Sequence, residues 1–399
     1  MENNVLICTV GGSHQPLLTA IRETRPLFVC FLCTDRDPVT GRPGSRVQIE
    51  GAGSVIKAAP KDSAPSLPNI PTQAGLDSTQ FETRSVPADD LDGVVSRTME
   101  VLGQLRGRYP NARILADYTG GTKTMTAGLV MAALETEDVE LRLVTGARGD
   151  LLKVSDGTER SRVASAESIR LRRAMAPYLA AWSRFAYAEA AKGLARLPVP
   201  RDPSLGAELQ IARDLSAAFD AWDRFSHGQA LERLQLYRPR IGARAGRLLK
   251  FLELLASDGD ERQEPARLLD LWNNAQRRAA QGRFDDAVAR VYRLLEWTAQ
   301  WLLRTRAGIE TTGDIPEQRV VQDLGIQRNR DGKWQAGLYA SWGLVEHHLG
   351  GEPRHFVQEE KKRLKNQLTI RNASILAHGY APIDEAAWQG LAQWMESAF

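Results

Sequence analysis

The pattern of apolar runs predicts an α/β N-terminal domain, Rossmann-like with a mostly parallel sheet, followed by an all-α C-terminal region. Three observations carry this prediction. Strand-like stretches at 5–10, 27–33, 81–86, 113–117 and 139–145 alternate with helical patterns at 17–24, 89–106 and 122–135. From about residue 165 strand-like alternation stops and long helical periodicities take over. All nine tryptophans lie beyond residue 180.

Val5–Val10 reads as a buried parallel strand because it is apolar throughout rather than at alternate positions. It runs into Gly11-Gly-Ser-His-Gln-Pro16, then a helix. Leu27–Cys33 is a second such strand, ending at Thr34-Asp-Arg36. Residues 57–76 hold Pro60, Pro65, Pro68 and Pro71 and read as a mobile excursion. Arg113–Asp117, the helix from Thr122 to Glu135 and the strand Val139–Thr145 follow, with Leu151–Ser155 as a hairpin edge. The expected helices beyond are 169–197, 207–222, 243–255, 264–280, 284–304 and 359–376, with a helical hairpin turning at Gly282. The organisation expected is 1–160, a connecting helical region 161–260, and a helical domain 261–399.

The chain has 399 residues, 43% of them hydrophobic, enough for more than one core. A net charge of +3 demands no nucleic acid by itself, although 42 of the 52 cations are arginine. Cys8, Cys30 and Cys33 all fall on expected strands. Cys30 and Cys33 have C-x-x-C spacing, but no second Cys or His pair completes a zinc site, so a buried strand is the preferred reading. Cysteine usage fits a reducing cytoplasm, no signal peptide is visible, and no apolar run approaches the ~20 residues of a membrane span.

Ile114–Met125 is a strand, a glycine turn and a helix start. The free N–H groups of a helix start, its positive dipole end, the hydroxyls of Thr119 and Thr122, and Lys123 together suit a phosphate or the polar edge of a nucleotide. Gly120 and Gly121 permit close approach of backbone to ligand. The spacing is not that of the ATP-binding loop, and the first loop is not G-x-G-x-x-G, which disfavours a dinucleotide site. A glycine turn without a ligand is the competing reading. What strengthens the ligand reading is that residues 11–15, 34–36 and 118–123 all follow strands, where open parallel sheets bind ligands.

The second constellation is Thr369-Ile-Arg-Asn-Ala-Ser-Ile-Leu-Ala-His-Gly379. Arg371 and His378 are seven apart, close to two helical turns. A group titrating near neutrality and a fixed cation are the two parts needed for phosphodiester cleavage by a ribose 2′-hydroxyl, without a metal. A histidine before glycine is also what a helix C-terminus looks like. Of six histidines, only His378 has an arginine five to seven residues upstream.

Arg371-Asn372 with His378 resembles the signature of HEPN ribonucleases, and the loops Gly11-Gly-Ser13 and Asp117–Lys123 resemble those of a CARF domain. That order in one chain is similar to the accessory ribonucleases of type III CRISPR defence. The resemblance implies a cyclic oligoadenylate activator bound by paired sensor domains of a homodimer, and single-stranded RNA cut in a composite cleft. Carried over, Arg371 would hold the scissile phosphate, His378 would transfer protons and Asn372 would orient groups beside them. The activator would meet Gly11, Gly12, Ser13, Gln15, Thr34, Asp35, Arg36 and Thr119, Gly120, Gly121, Thr122, Lys123. Ser13, Thr119 and Lys123 are also where activator cleavage would occur. Neither metal, cofactor, DNA nor membrane is implied, and the compartment is cytoplasmic.

Competing readings are few. Glu359-x-Lys361 and Glu360-x-Lys362 match the core of metal-dependent nucleases formally, but they sit on an expected helix rather than a strand. No convincing recognition helix for DNA is visible. A nucleotide-binding helical scaffold without ribonuclease activity is the bland alternative. Trp297 and Trp301 read as packing residues, His347 and His348 as a poor metal pair, and the run Lys361–Lys365 as a solvated face.

Overall fold

The computed structural model describes residues 3–50, 67–146, 159–373, 375–376 and 379–398, with backbone only at 241–244 and 367–373. The chain divides into two compact units, Met1–Arg170 and Leu171–Phe399.

The first unit is a six-stranded sheet. Its elements in order are β1 (Asn4–Thr9), α1 (Gln15–Thr24), β2 (Phe28–Cys33), the short helices α2 (Val47–Glu50) and α3 (Ile70–Ala74), β3 (Phe81–Ser85), α4 (Leu91–Arg108), β4 (Arg113–Asp117), α5 (Lys123–Glu135), β5 (Val139–Thr145) and β6 (Arg160–Val163). Strand order is β3-β2-β1-β4-β5-β6, parallel except for β6 against β5. The apolar runs are continuous because the central strands are covered on both faces. Val5 and Ile7 pack with Val94, Leu102 and Leu129 on one side, while Leu6 and Cys8 pack with Leu17, Leu18 and Ile21 on the other. Strand order reverses between β1 and β4, which pair in parallel with Cys8 opposite Asp117. That junction is the switch point.

The expected α/β fold is therefore present, with local corrections. The C-terminal end of the proline-bearing excursion is built into the core: Asn69 caps α3 by accepting from the Thr72 N–H at 3.0 Å, and Ile70 is fully buried. Residues 57–66 and the expected edge 151–155 lie outside the described residues; the described edge strand is β6. The three cysteines are free and buried, and burial pushes the Cys33 thiol up to about 12.

The second unit comprises α6 (Glu167–Ala180, within which the division falls), α7 (Tyr187–Arg196), α8 (Pro203–Asp223), α9 (His227–Gln235), α10 (Arg238–Ala256), α11 (Gln263–Ala280) and α12 (Phe284–Ala307). A small hairpin, β7 (Gln327–Arg328) with β8 (Trp334–Gln335), precedes α13 (Leu338–His348), α14 (Glu352–Ala373) and α15 (Glu385–Ala398). The single helix expected over 169–197 is broken. Pro177 lies inside α6, a 3₁₀ turn follows at Ala181–Arg184, and Phe185 is left-handed at φ 58°. Tertiary packing holds the break, since the Trp182 indole N–H donates to Ser216 Oγ at 3.0 Å and its ring meets Tyr187 edge-on. The hairpin between α11 and α12 turns at Gly282, φ 71°. Trp297 and Trp301 pack against the core of this unit, and the Trp297 N–H donates to Glu264 at 2.6 Å. Among the described residues no helix is long and apolar enough to cross a membrane.

Candidate functional site

The loops after β1 and β4 interlock at the switch point. A Cβ on Gly11 would stand 2.5 Å from the Gly121 nitrogen, and one on Gly120 would stand 2.4 Å from the Thr9 carbonyl oxygen. Gly121 has φ +90°, a conformation that suits glycine. The Thr9 hydroxyl donates to the Gly120 carbonyl at 2.5 Å, and Thr126 donates to the same oxygen at 3.1 Å. These glycines serve loop-to-loop packing, whereas Gly12 faces open space.

The two helix starts differ. Thr122 caps α5, its hydroxyl accepting from the Met125 N–H at 3.2 Å and donating to the Ala88 carbonyl at 2.7 Å. That hydroxyl is committed to the fold. His14 caps α1 without any side-chain bond, and because Pro16 carries no N–H and Leu17 is buried, the first-turn donor beside exposed Ser13 is the Gln15 N–H. Lys123 is exposed in the first turn of α5. The Thr119 hydroxyl accepts from the Val144 N–H at 2.8 Å.

Asp117, fully buried at the end of β4, accepts from the Thr119 N–H at 3.0 Å through Oδ1. Its Oδ2 has no hydrogen-bond partner. Burial raises its carboxyl above the usual range, opposed by Thr119 and by the Arg142 charge.

Thr34, Asp35 and Arg36 belong to a neighbouring cleft of 530 Å³ at the ends of β2 and β3, lined also by Arg42, Gly44, Ser85 and Ala88. The Thr34 N–H donates to Ser45 Oγ and the Ser45 N–H to Thr34 Oγ1, both at 3.0 Å. Asp35 is neutralised by Arg46 at 2.6 Å and accepts from Ser85, so hydrogen bonds from Ser85 and then the Arg46 guanidinium hold its carboxyl low. Arg36 is exposed. The structure thus sorts the expected ligand residues into two adjacent sets. Gln48 donating to the Gly11 carbonyl bridges them, as does Thr122 through Ala88. Sequence reading missed Gln48 and His14, whose Nε2 is buried without a partner. It also missed Ser85, which the rule of strand ends could have found.

In the helical unit, Arg371 and Asn372 lie in the last turn of α14. The helix ends at Ala373, and Ile375–Leu376 form a turn. His378 lies outside the described residues. Lys361 is paired with Glu346 at 2.8 Å, which also raises its ammonium pKa. The Glu-x-Lys matches stand on this helix, not on a strand.

The chain thus joins a doubly wound unit, with glycine loops at its switch point, to a helical unit. Residues 257–399 match the family model of the Csm6 HEPN domain. The whole fold is similar to that of Enterococcus italicus Csm6, solved with cyclic hexa-2′-fluoro-hexa-dAMP. Identity is 12%, the match covers 99% of this chain and 93% of that one, and the TM-score is 0.60. Weaker likenesses are to a type III CRISPR defence DNA nuclease activated by cyclic oligoadenylate (17% identity, 54% and 34% coverage, TM-score 0.26) and to Can2 from Sulfobacillus thermosulfidooxidans with cyclic tetra-adenylate (12%, 70% and 68%, 0.23). Comparison with curated proteins gives no match. The likeness to Csm6 is thus one of family model over residues 257–399 and of fold over the whole chain.

Proposed function

We propose that this protein is a cyclic oligoadenylate-activated, metal-independent endoribonuclease that cuts single-stranded RNA in the cytoplasm during CRISPR defence, with one site composed across a homodimer. The observation that carries the reading is the Csm6 HEPN match over residues 257–399, the segment that contains Arg371, Asn372 and His378. In keeping with it, residues 1–160 are the sensor, 161–260 connect, and 261–399 hold the nuclease.

The chemistry follows from the residue types. The ribose 2′-hydroxyl attacks the adjacent phosphorus and the 5′-oxygen leaves, giving a 2′,3′-cyclic phosphate. His378 moves the proton, Arg371 offsets charge on the phosphate oxygens, and Asn372 orients them. In the sensor, the uncapped start of α1, with Gly12, Ser13 and Gln15, and the exposed Lys123 meet the activator phosphates. Thr34, Asp35 and Arg36 face the neighbouring cleft, where a base or ribose is accommodated. Slow cleavage of the activator would draw on Ser13 and Lys123; Thr119 is less available because its hydroxyl already accepts from Val144.

The test is cleavage of a fluorescent single-stranded RNA in EDTA with no activator or with cyclic tri-, tetra- or hexa-adenylate. One ring should switch cleavage on, and Arg371→Ala and His378→Ala should each lose roughly 100- to 10,000-fold. Activity surviving both substitutions would sink the site; ring binding without cleavage would favour a non-catalytic sensor.

A further inference from the structure

Beside the effector segment, α14 and α15 enclose a polar groove of 420 Å³. One wall is Arg363 and Asn366, a turn apart on α14; the other is Gly390, Gln393, Trp394 and Ser397 on α15. We propose that this groove binds one nucleobase of the RNA substrate and sets base preference near the cut. The inference rests on the ribonuclease reading above.

Four features favour a nucleotide. The volume is within the roughly 300–1,000 Å³ of small-ligand pockets. Asn366 and Gln393 each present an amide oxygen and an NH₂ group from opposite walls, the donor and acceptor pair that base edges require. The Arg363 side chain is 63% exposed and pairs with Glu360 only at 3.5 Å, so its guanidinium can reach a phosphate or stack on a base. The Trp394 indole is fixed by donating to Glu360 at 2.8 Å, making a rigid wall. Position adds to chemistry. Arg363 precedes Arg371 by eight residues on one helix, about 12 Å of axial rise, so the groove lies along the same helix as the candidate cleavage residues. A protein partner is disfavoured because the lining is polar rather than an apolar anchor pocket.

The experiment sequences the cleavage ends produced from a random single-stranded RNA by the activated full-length protein. The parent is compared with Asn366→Ala, Gln393→Ala and Gly390→Leu. A Cβ at Gly390 meets nothing within 4 Å, so leucine occupies the groove without crowding the fold, which a thermal melt verifies. Base discrimination at one nucleotide position should fall about tenfold, with KM rising more than kcat falls. Unchanged preference at every position in all three variants overturns the inference. Should the parent itself not cleave RNA, the ribonuclease reading fails separately. The groove is then judged by the anisotropy of a fluorescent 2′-O-methyl RNA. Binding weakened by Gly390→Leu supports it, and equal binding overturns it.

Discussion

Asp117 is the residue whose environment has the clearest consequence. A carboxyl held above its usual value by burial favours the folded state below its unfolded pKa of about 3.9. That contribution is lost as pH rises through the folded value, because ionising the buried group then costs the fold. Asp117→Asn removes the titration while keeping an acceptor for the Thr119 N–H. From about pH 4 to pH 7 the parent should lose melting temperature relative to this variant. Parallel melting curves across that range would count against the assignment. The identity of Asp117 as a strand end was plain in the sequence, whereas its unpartnered Oδ2 depends on which groups the neighbouring loops bring to it.

At the scale of elements, the two glycine loops have different tolerances. Gly11→Ala drives a Cβ into the backbone of Gly121, and backbone has no flexible end to move. Overpacking of this kind costs about 1–3 kcal/mol. Gly12→Ala meets open space and should change stability by less than about 0.5 kcal/mol. Urea melts of the two variants make the comparison, and equal losses would mean the loops do not interlock. Both glycines look alike in Gly11-Gly12 because close approach is made by a loop more than 100 residues away. The strands and helices of the first unit were legible, since strand-like runs and helical periods repeat locally. Less legible were α9, α13 and α15, which sequence reading passed over, and the end of α14 at Ala373.

At the scale of the helical unit, a buried charge network joins α8 and α9 to α11 and α12. Asp223 accepts from Asn274 at 2.9 Å, from Arg277 at 3.0 Å and from Arg278. Asp270 accepts from the Trp222 N–H at 3.1 Å and pairs with His227 at 2.9 Å. Ala266 of α11 lies in the same core as Trp222, Leu234 and Leu252. The helices before residue 257 are therefore packed into the same body as α11. Asp223→Ala leaves Arg277 and Arg278 without this carboxylate and should cost about 3–5 kcal/mol. Asp220, in an exposed pair with Arg224, is the control, and its loss should cost at most about 1 kcal/mol. Equal denaturation midpoints would refute a stabilising network.

The sequence by itself determined the α/β-then-α order and the strand-end loops that carry the candidate ligand residues, and it nominated the Arg371…His378 pair. These depend on period, turn residues and spacing, all local properties of the chain. Only tertiary structure decided that Gly11, Gly120 and Gly121 hold loops together, that Thr122 is committed to Ala88, and that Thr34–Arg36 line a separate cleft. It alone paired Asp223 with Arg278 and set Arg363 across a groove from Gln393. Such juxtapositions join residues far apart in the chain, and no local propensity encodes which distant backbone or charge a side chain will meet.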